Sequence, residues 1–145
     1  MLSISKYDKS YIDECILEMK TQLAVYKNLI QTVQSQRVGH SAKIDAAIDA
    51  FEPVFFNNMV MVIDNYFIHR SRALELKDGN PLNEVRLLCN SLMNHKNKFT
   101  PEKSLRYDPA KSILKYKEGD EIKIKELDFS KLSNAFFREI EKKYS

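Results

Sequence analysis

The chain has 145 residues, 43% of them hydrophobic and 30% charged, the balance of one globular domain and not of a disordered segment. A net charge of +3, with Lys and Arg interleaved with acids between Lys96 and Lys125, argues against a nucleic-acid partner, whose site gathers basic residues on one face. Two cysteines are too few for a disulfide scaffold, and three glycines with four prolines leave few turns, which favours long helices over a many-stranded sandwich.

The segment from Met1 to Lys20 is charged throughout and lacks the apolar stretch of a signal peptide. The longest apolar run, Met59–Ile63, falls far short of the ~20 residues that span a bilayer. These exclusions predict a cytoplasmic protein with no membrane partner, in which Cys15 and Cys89 are small buried hydrophobes. From Tyr11 to Val33, apolar side chains stand at Ile12, Ile16, Met19, Leu23, Tyr26, Ile30 and Val33 with gaps of 4, 3, 4, 3, 4 and 3. A repeat of about 3.5 residues is that of a coiled-coil-like seam. It predicts a long first helix lying along a partner helix, either of the same chain or of a second copy in a homodimer.

Gly39 is placed to end this helix, His40 to lie exposed in the loop, and Ser41 to cap the next helix. Ile44, Ile48, Phe51 and Phe55 continue at helical spacing, and Pro53 either kinks that helix or opens a new one. From Val54 to Leu76 the pattern predicts a core helix, with Phe56, Met59, Val60, Ile63, Phe67 and Leu74 inward. In Lys77-Asp78-Gly79-Asn80-Pro81, Gly79 suits positive φ, Asn80 a cap and Pro81 a first helical position. The following helix carries Leu82, Val85, Leu88, Cys89 and Leu92 on one stripe and fades near Asn94 or His95. Alternation at Leu105 and Tyr107, Ile113 and Lys115, and Ile122 and Ile124 predicts short strands, with turns at Asp108-Pro109 and Glu118-Gly119-Asp120. Asp128 then caps a last helix with Phe129, Leu132, Phe136 and Ile140 inward. The expected fold is one mainly α domain over residues 1–145: a four- or five-helix bundle with a two- or three-stranded β appendage at about 103–125, before the last helix.

The chemistry-bearing residues are sparse. No paired Glu-x-x-His helices, nucleophile elbow or glycine-rich phosphate loop occurs, so neither a metal nor a cofactor is expected. Polar residues do recur inside the apolar helices. Asn58, Asn65, His69 and Arg72 are spaced 7, 4 and 3 residues apart, which places them on one face of the second long helix. Asn83, Arg86, Asn90 and Asn94 share a face of the next in the same way. Two amide- and arginine-bearing stripes on neighbouring helices can line a polar groove, in which a ligand supplies the partners that buried amides need. They can equally face solvent or satisfy each other. Asp64 with Arg70 or Arg86 reads as a structural ion pair.

The runs Phe51-Glu52-Pro53-Val54-Phe55-Phe56-Asn57-Asn58, Lys77 to Arg86 and Gly119-Asp120-Glu121-Ile122 together resemble a family of uncharacterised bacterial proteins of similar length. The resemblance covers most of the chain from Phe51 onward and implies a bacterial, single-domain, cytoplasmic protein, without a chemistry. The segment Arg86 to His95 is also similar to the active motif of HEPN helical bundles, which include metal-independent ribonucleases. That resemblance implies His95 as general acid or base and Arg86 as stabiliser of phosphate charge. Here eight residues separate the two, and nine steps of ~100° put them on opposite faces of an unbroken helix. Such a site needs the helix to end before Asn94, or a second chain to supply one residue. The favoured expectation is a binding or interaction module. Asn58, Asn65, His69 and Arg72 would face Asn83, Arg86 and Asn90 across a groove, with Arg72 or Arg86 neutralising an anionic group of a small ligand or protein partner.

Overall fold

The 4-3 seam of the first helix is used inside the chain. In the computed structural model, which describes residues 2–36, 39 and 41–145, α1 runs over Lys9–Gln36 and packs against α2 (Ala42–Tyr66) and α5 (Glu126–Tyr144). Ile12, Met19 and Tyr26 are buried, while Ile16, Leu23 and Ile30 are half-buried against the same core. Tyr26 stacks on Phe51 and Phe55 of α2 and meets Phe56 edge-on. Gly39 has a φ of +72°, and His40 lies outside the described residues.

Ser41 caps α2 as its sequence position suggests, its hydroxyl accepting from the Ile44 N–H at 3.3 Å. Pro53 sits inside this single helix. Phe56, Val60 and Ile63 are fully buried, and α2 packs on α4 (Pro81–Asn94) and α5. Over an 18-residue window its mean hydropathy is 1.3, so by length and composition alone it is also long and apolar enough to cross a membrane.

The predicted helix through Leu76 is not continuous: α2 stops at Tyr66, and only the short α3 (Arg72–Glu75) follows. The physical reason lies at the beginning of the chain. The Ile4 N–H donates to the His69 carbonyl at 2.8 Å and the Ile4 carbonyl accepts from the Ser71 N–H at 2.7 Å, a parallel bridge between Ile4 and Arg70 that follows the turn at residues 67–69. The Tyr11 hydroxyl donates to the Tyr66 carbonyl at 2.6 Å, and the Tyr144 hydroxyl to that of Ser71 at 2.7 Å. Backbone groups that would have continued the helix are thereby taken by distant partners. Phe67 is still buried, but Leu74, expected inward, is exposed.

Asn80 caps α4, accepting from the N–H groups of Leu82 and Asn83 at 2.9 and 3.2 Å, with Pro81 in the first turn. Gly79, at φ +80°, lies so close to the chain that a Cβ there would stand 2.7 Å from the Arg106 carbonyl oxygen. Leu82, Val85 and Leu88 of α4 then meet Phe129, Leu132, Phe136 and Ile140 of α5 in the core.

The predicted β appendage is corrected by the structure. Among the described residues there is no strand between α4 and α5, only a 3₁₀ turn at Lys103–Leu105 and an isolated antiparallel bridge between Lys98 and Glu121. Leu105, Ile122 and Ile124 are buried, so the alternation marks real anchors. Their neighbours do not stay extended, because Arg106 and Lys115 adopt φ of 56° and 62°. The donors a β-ladder would use are instead taken by side chains. Glu84 accepts from the N–H groups of Ile113 and Leu114 at 2.8 and 2.9 Å. Asn57 accepts from Ile124 at 3.1 Å and donates to the Ile122 carbonyl at 3.0 Å. Side chains competing for backbone groups in this way leave an ordered but irregular segment. The final helix begins at Glu126, two residues ahead of the expected cap, and Asp128 accepts from the Lys125 N–H at 3.3 Å from within its first turn.

Candidate functional site

The break after α2 gathers a cluster of four charged residues, Asp64, Arg70, Glu75 and Arg86. Glu75, at the end of α3, is completely buried, and its carboxylate accepts four hydrogen bonds. Arg70 Nε and Arg86 Nη2 each reach Oε1 at 2.7 Å, while Arg86 Nε and Asn83 Nδ2 reach Oε2 at 3.0 and 2.9 Å. Arg70, whose side chain is also fully buried, turns Nη1 to Asp64 at 2.8 Å and lies over the Phe136 ring at 5.6 Å. Burial alone would raise the Glu75 carboxyl, but hydrogen bonding and charge from Arg86 and Arg70 overcome it and hold the group at about 2. Burial works to lower the Arg86 guanidinium, and the bonds to Glu75 more than reverse this, so it is raised and stays charged.

Two arginines and two carboxylates balance in this cluster. Buried charges persist only when each is paired and hydrogen-bonded, and this condition is met here. The Asp64–Arg70 pair is the structural ion pair expected from the sequence, with Glu75 as its unforeseen centre. Glu75 carries no sequence signal, since it lies among residues read as a continuing helix. Its neighbour Leu76 is held at φ 68° and ψ 176°, a region populated almost solely by glycine. Its carbonyl accepts from Asn83 Nδ2 at 3.0 Å, and its N–H donates to the Arg72 carbonyl at 3.2 Å.

Beside the cluster is a cleft of about 270 Å³ lined by Leu2, Ser3, Ile68, His69, Arg72 and Arg86, with part of Arg70. His69 and Arg72 are exposed; among the described residues the Arg72 side chain has no ionic partner. Arg86 spends Nε and Nη2 on Glu75, and no described residue accepts from its Nη1. A second, larger concavity of about 520 Å³ adjoins it, sharing Ile68 and His69, with Asn65, Tyr11, Tyr66 and Lys6 in its walls. The hydroxyl of Tyr7, in the same wall, is buried without a hydrogen-bond partner among the described residues.

The seven groove residues read from the sequence are therefore distributed. Asn65 and His69 meet in the larger concavity, and His69, Arg72 and Arg86 in the smaller. Asn83 is buried, satisfying Glu75 and the Leu76 carbonyl. Asn58 lies apart, in a shallow hollow with Asn57, Leu92 and Asn97. Asn90 accepts from Asn94 at 2.8 Å along α4. The helix break separates His69 and Arg72 from the α2 face that carries Asn58 and Asn65, so the two polar stripes do not oppose one another along their length. Contributions from the beginning of the chain, Ser3, Lys6 and Tyr11, were not foreseen; the only sequence hint was aromatic residues at 7 and 11 in an otherwise polar segment.

Arg86 stands in the second turn of α4 and His95 at its C-terminal end. The helix runs to Asn94, His95 is its exposed C-cap, and Arg86 is engaged with Glu75 near the start. Nine residues at ~1.5 Å rise separate them by roughly 13 Å along the axis. No group of three or more His, Cys, Asp or Glu side chains able to hold a metal occurs among the described residues. No protein-family model matches the chain, and no curated protein or solved structure shows significant similarity to it.

Proposed function

We propose that the chain is a binding module whose ligand presents an anionic group to the cleft between His69, Arg72 and Arg86. The observation that carries this reading is the convergence on one concavity of three nitrogen-bearing side chains, two from the turn after α2 and the start of α3 and one from α4. The cluster behind them is already neutral, so Arg72 is positive charge in excess. An anion held there gains charge-assisted hydrogen bonds, and a planar guanidinium suits the oxygens of a phosphate or carboxylate. Arg86 is held in place before any ligand arrives, because Glu75 grips two of its nitrogens. Such preorganisation reduces the ordering that binding would otherwise require.

Titration of the ¹⁵N-labelled protein with inorganic phosphate at constant ionic strength tests the reading. Resonances of residues 68–72 and Arg86 should shift together and saturate, and Arg72→Ala should weaken the response at least tenfold. Shifts scattered over the surface, or identical in Arg72→Ala, would remove the cleft as the binding site.

A further inference from the structure

Resting on the anion reading above, we propose that the ligand is a nucleoside monophosphate, its phosphate held by His69, Arg72 and Arg86 and its base in the adjoining concavity beside Asn65 and Tyr11. The argument comes from what stands next to the cationic cleft. The two hollows share Ile68 and His69, so one molecule can enter both. The larger one, at about 520 Å³, lies within the ~300–1,000 Å³ usual for small-ligand sites.

The walls of the two hollows differ in chemistry. The cationic cleft offers Arg72, free of any ionic partner among the described residues, and the remaining donor of Arg86. That is enough for one phosphate of about −1.5 to −2 charge, and the adjoining hollow adds a single further cation, Lys6, with the carboxylate of Asp8 in the same lining, instead of a second cation cluster. The larger hollow is lined mainly by apolar and aromatic side chains, Ile4, Tyr7, Tyr11, Tyr66 and Ile68, with Lys6 and Asp8 as its charged members, and carries the exposed amide of Asn65. An amide donates and accepts at once, as the edge of a base requires, and an asparagine can pair with the N6 and N7 positions of adenine. Tyr11 is fixed from two sides, stacked on Tyr7 at 5.7 Å and tied through its hydroxyl to the Tyr66 carbonyl. It is nevertheless 38% exposed, a rigid aromatic surface beside the amide. A simple anion has no use for this compartment. An acyl chain has no use for its amide.

Calorimetric titration of the full chain at fixed ionic strength with phosphate, adenosine and adenosine monophosphate distinguishes the outcomes. The proposal expects the nucleotide to bind at least tenfold more tightly than phosphate. Arg72→Ala should weaken both, whereas Asn65→Ala should weaken the nucleotide several-fold and leave phosphate unchanged. Both side chains are exposed, so circular dichroism should show each variant folded. If the nucleotide binds no better than phosphate, the base compartment is not used and this inference falls while the anion site stands. If neither ligand binds, both readings fall. Nucleotide binding that survives both substitutions would place the ligand elsewhere and overturn the proposal.

Discussion

Leu76 combines φ 68° with ψ 176° while its side chain remains 51% exposed. A side chain in that region costs of order 1–3 kcal/mol, and the geometry persists because Asn83, Arg72 and the buried Glu75 leave the backbone no alternative. Glycine has no Cβ to object, although it loses more freedom on folding. Leu76→Gly is therefore expected to stabilise the protein by about 1 kcal/mol, read as a higher urea midpoint at unchanged slope. A lower midpoint would show that contacts of the leucyl side chain outweigh the strain. At this scale the sequence was informative about caps and poor about buried charge. Asn80, Pro81 and Gly79 declared themselves through local chemistry. Glu75 did not, because its partners come from residues 70, 83 and 86 and only the folded chain brings them to it.

Among the elements, the link between α2 and the segment before α5 rests on Asn57. This buried amide satisfies both the Ile122 carbonyl and the Ile124 N–H. Removing it leaves two backbone groups without partners next to a packed core, at ~1–3 kcal/mol for each group left unsatisfied. Asn57→Ala should thus destabilise by roughly 2–4 kcal/mol, and amide hydrogen exchange should quicken around residues 119–125 before the rest of the bundle. Equal acceleration across all helices would mean that the amide is no local clasp. The neighbouring Asn58, which sequence spacing singled out, is exposed, and its substitution lacks this consequence. Helix spacing identified the apolar faces because burial repeats every turn. It could not see where a helix stops when the stopping groups arrive from Ile4, Tyr11 and Tyr144, far away in the chain. The same limit explains the missing strands: alternation reported Leu105, Ile122 and Ile124 as anchors, but Glu84 and Asn57 captured the donors that would have made a ladder.

For the whole molecule, the buried cluster sets how stability responds to acid. The Glu75 carboxyl is lowered from 4.5 to about 2, against the pull of its own burial, by its bonds and charges from Arg86 and Arg70. The folded protein therefore binds this proton less readily than the unfolded chain. Its contribution to stability is complete above the unfolded value of 4.5 and is lost as pH falls through the window down to about 2. Glu84 acts in the opposite sense. Burial raises it despite the Ile113 and Leu114 N–H donors, so its ionisation disfavours the fold as pH rises. Thermal melts between pH 6 and pH 2 should show a steep fall that is much shallower in Glu75→Gln. That variant should also lose about 3–5 kcal/mol at neutral pH, because Arg70 is left buried with an incomplete set of charges. Parallel acid profiles for the two proteins would assign the transition to other carboxylates.

The joint at residues 67–71 is pinned by Ile4 from one end of the sequence and by Tyr144 from the other. Synthesis runs in one direction, so a nascent chain can assemble α1, α2 and α4 and still lack the last pin until α5 has left the ribosome. Nascent chains arrested before α5 should accordingly hold helices but lack the finished joint at residues 67–71, whose closure then follows translation of α5 and does not guide it.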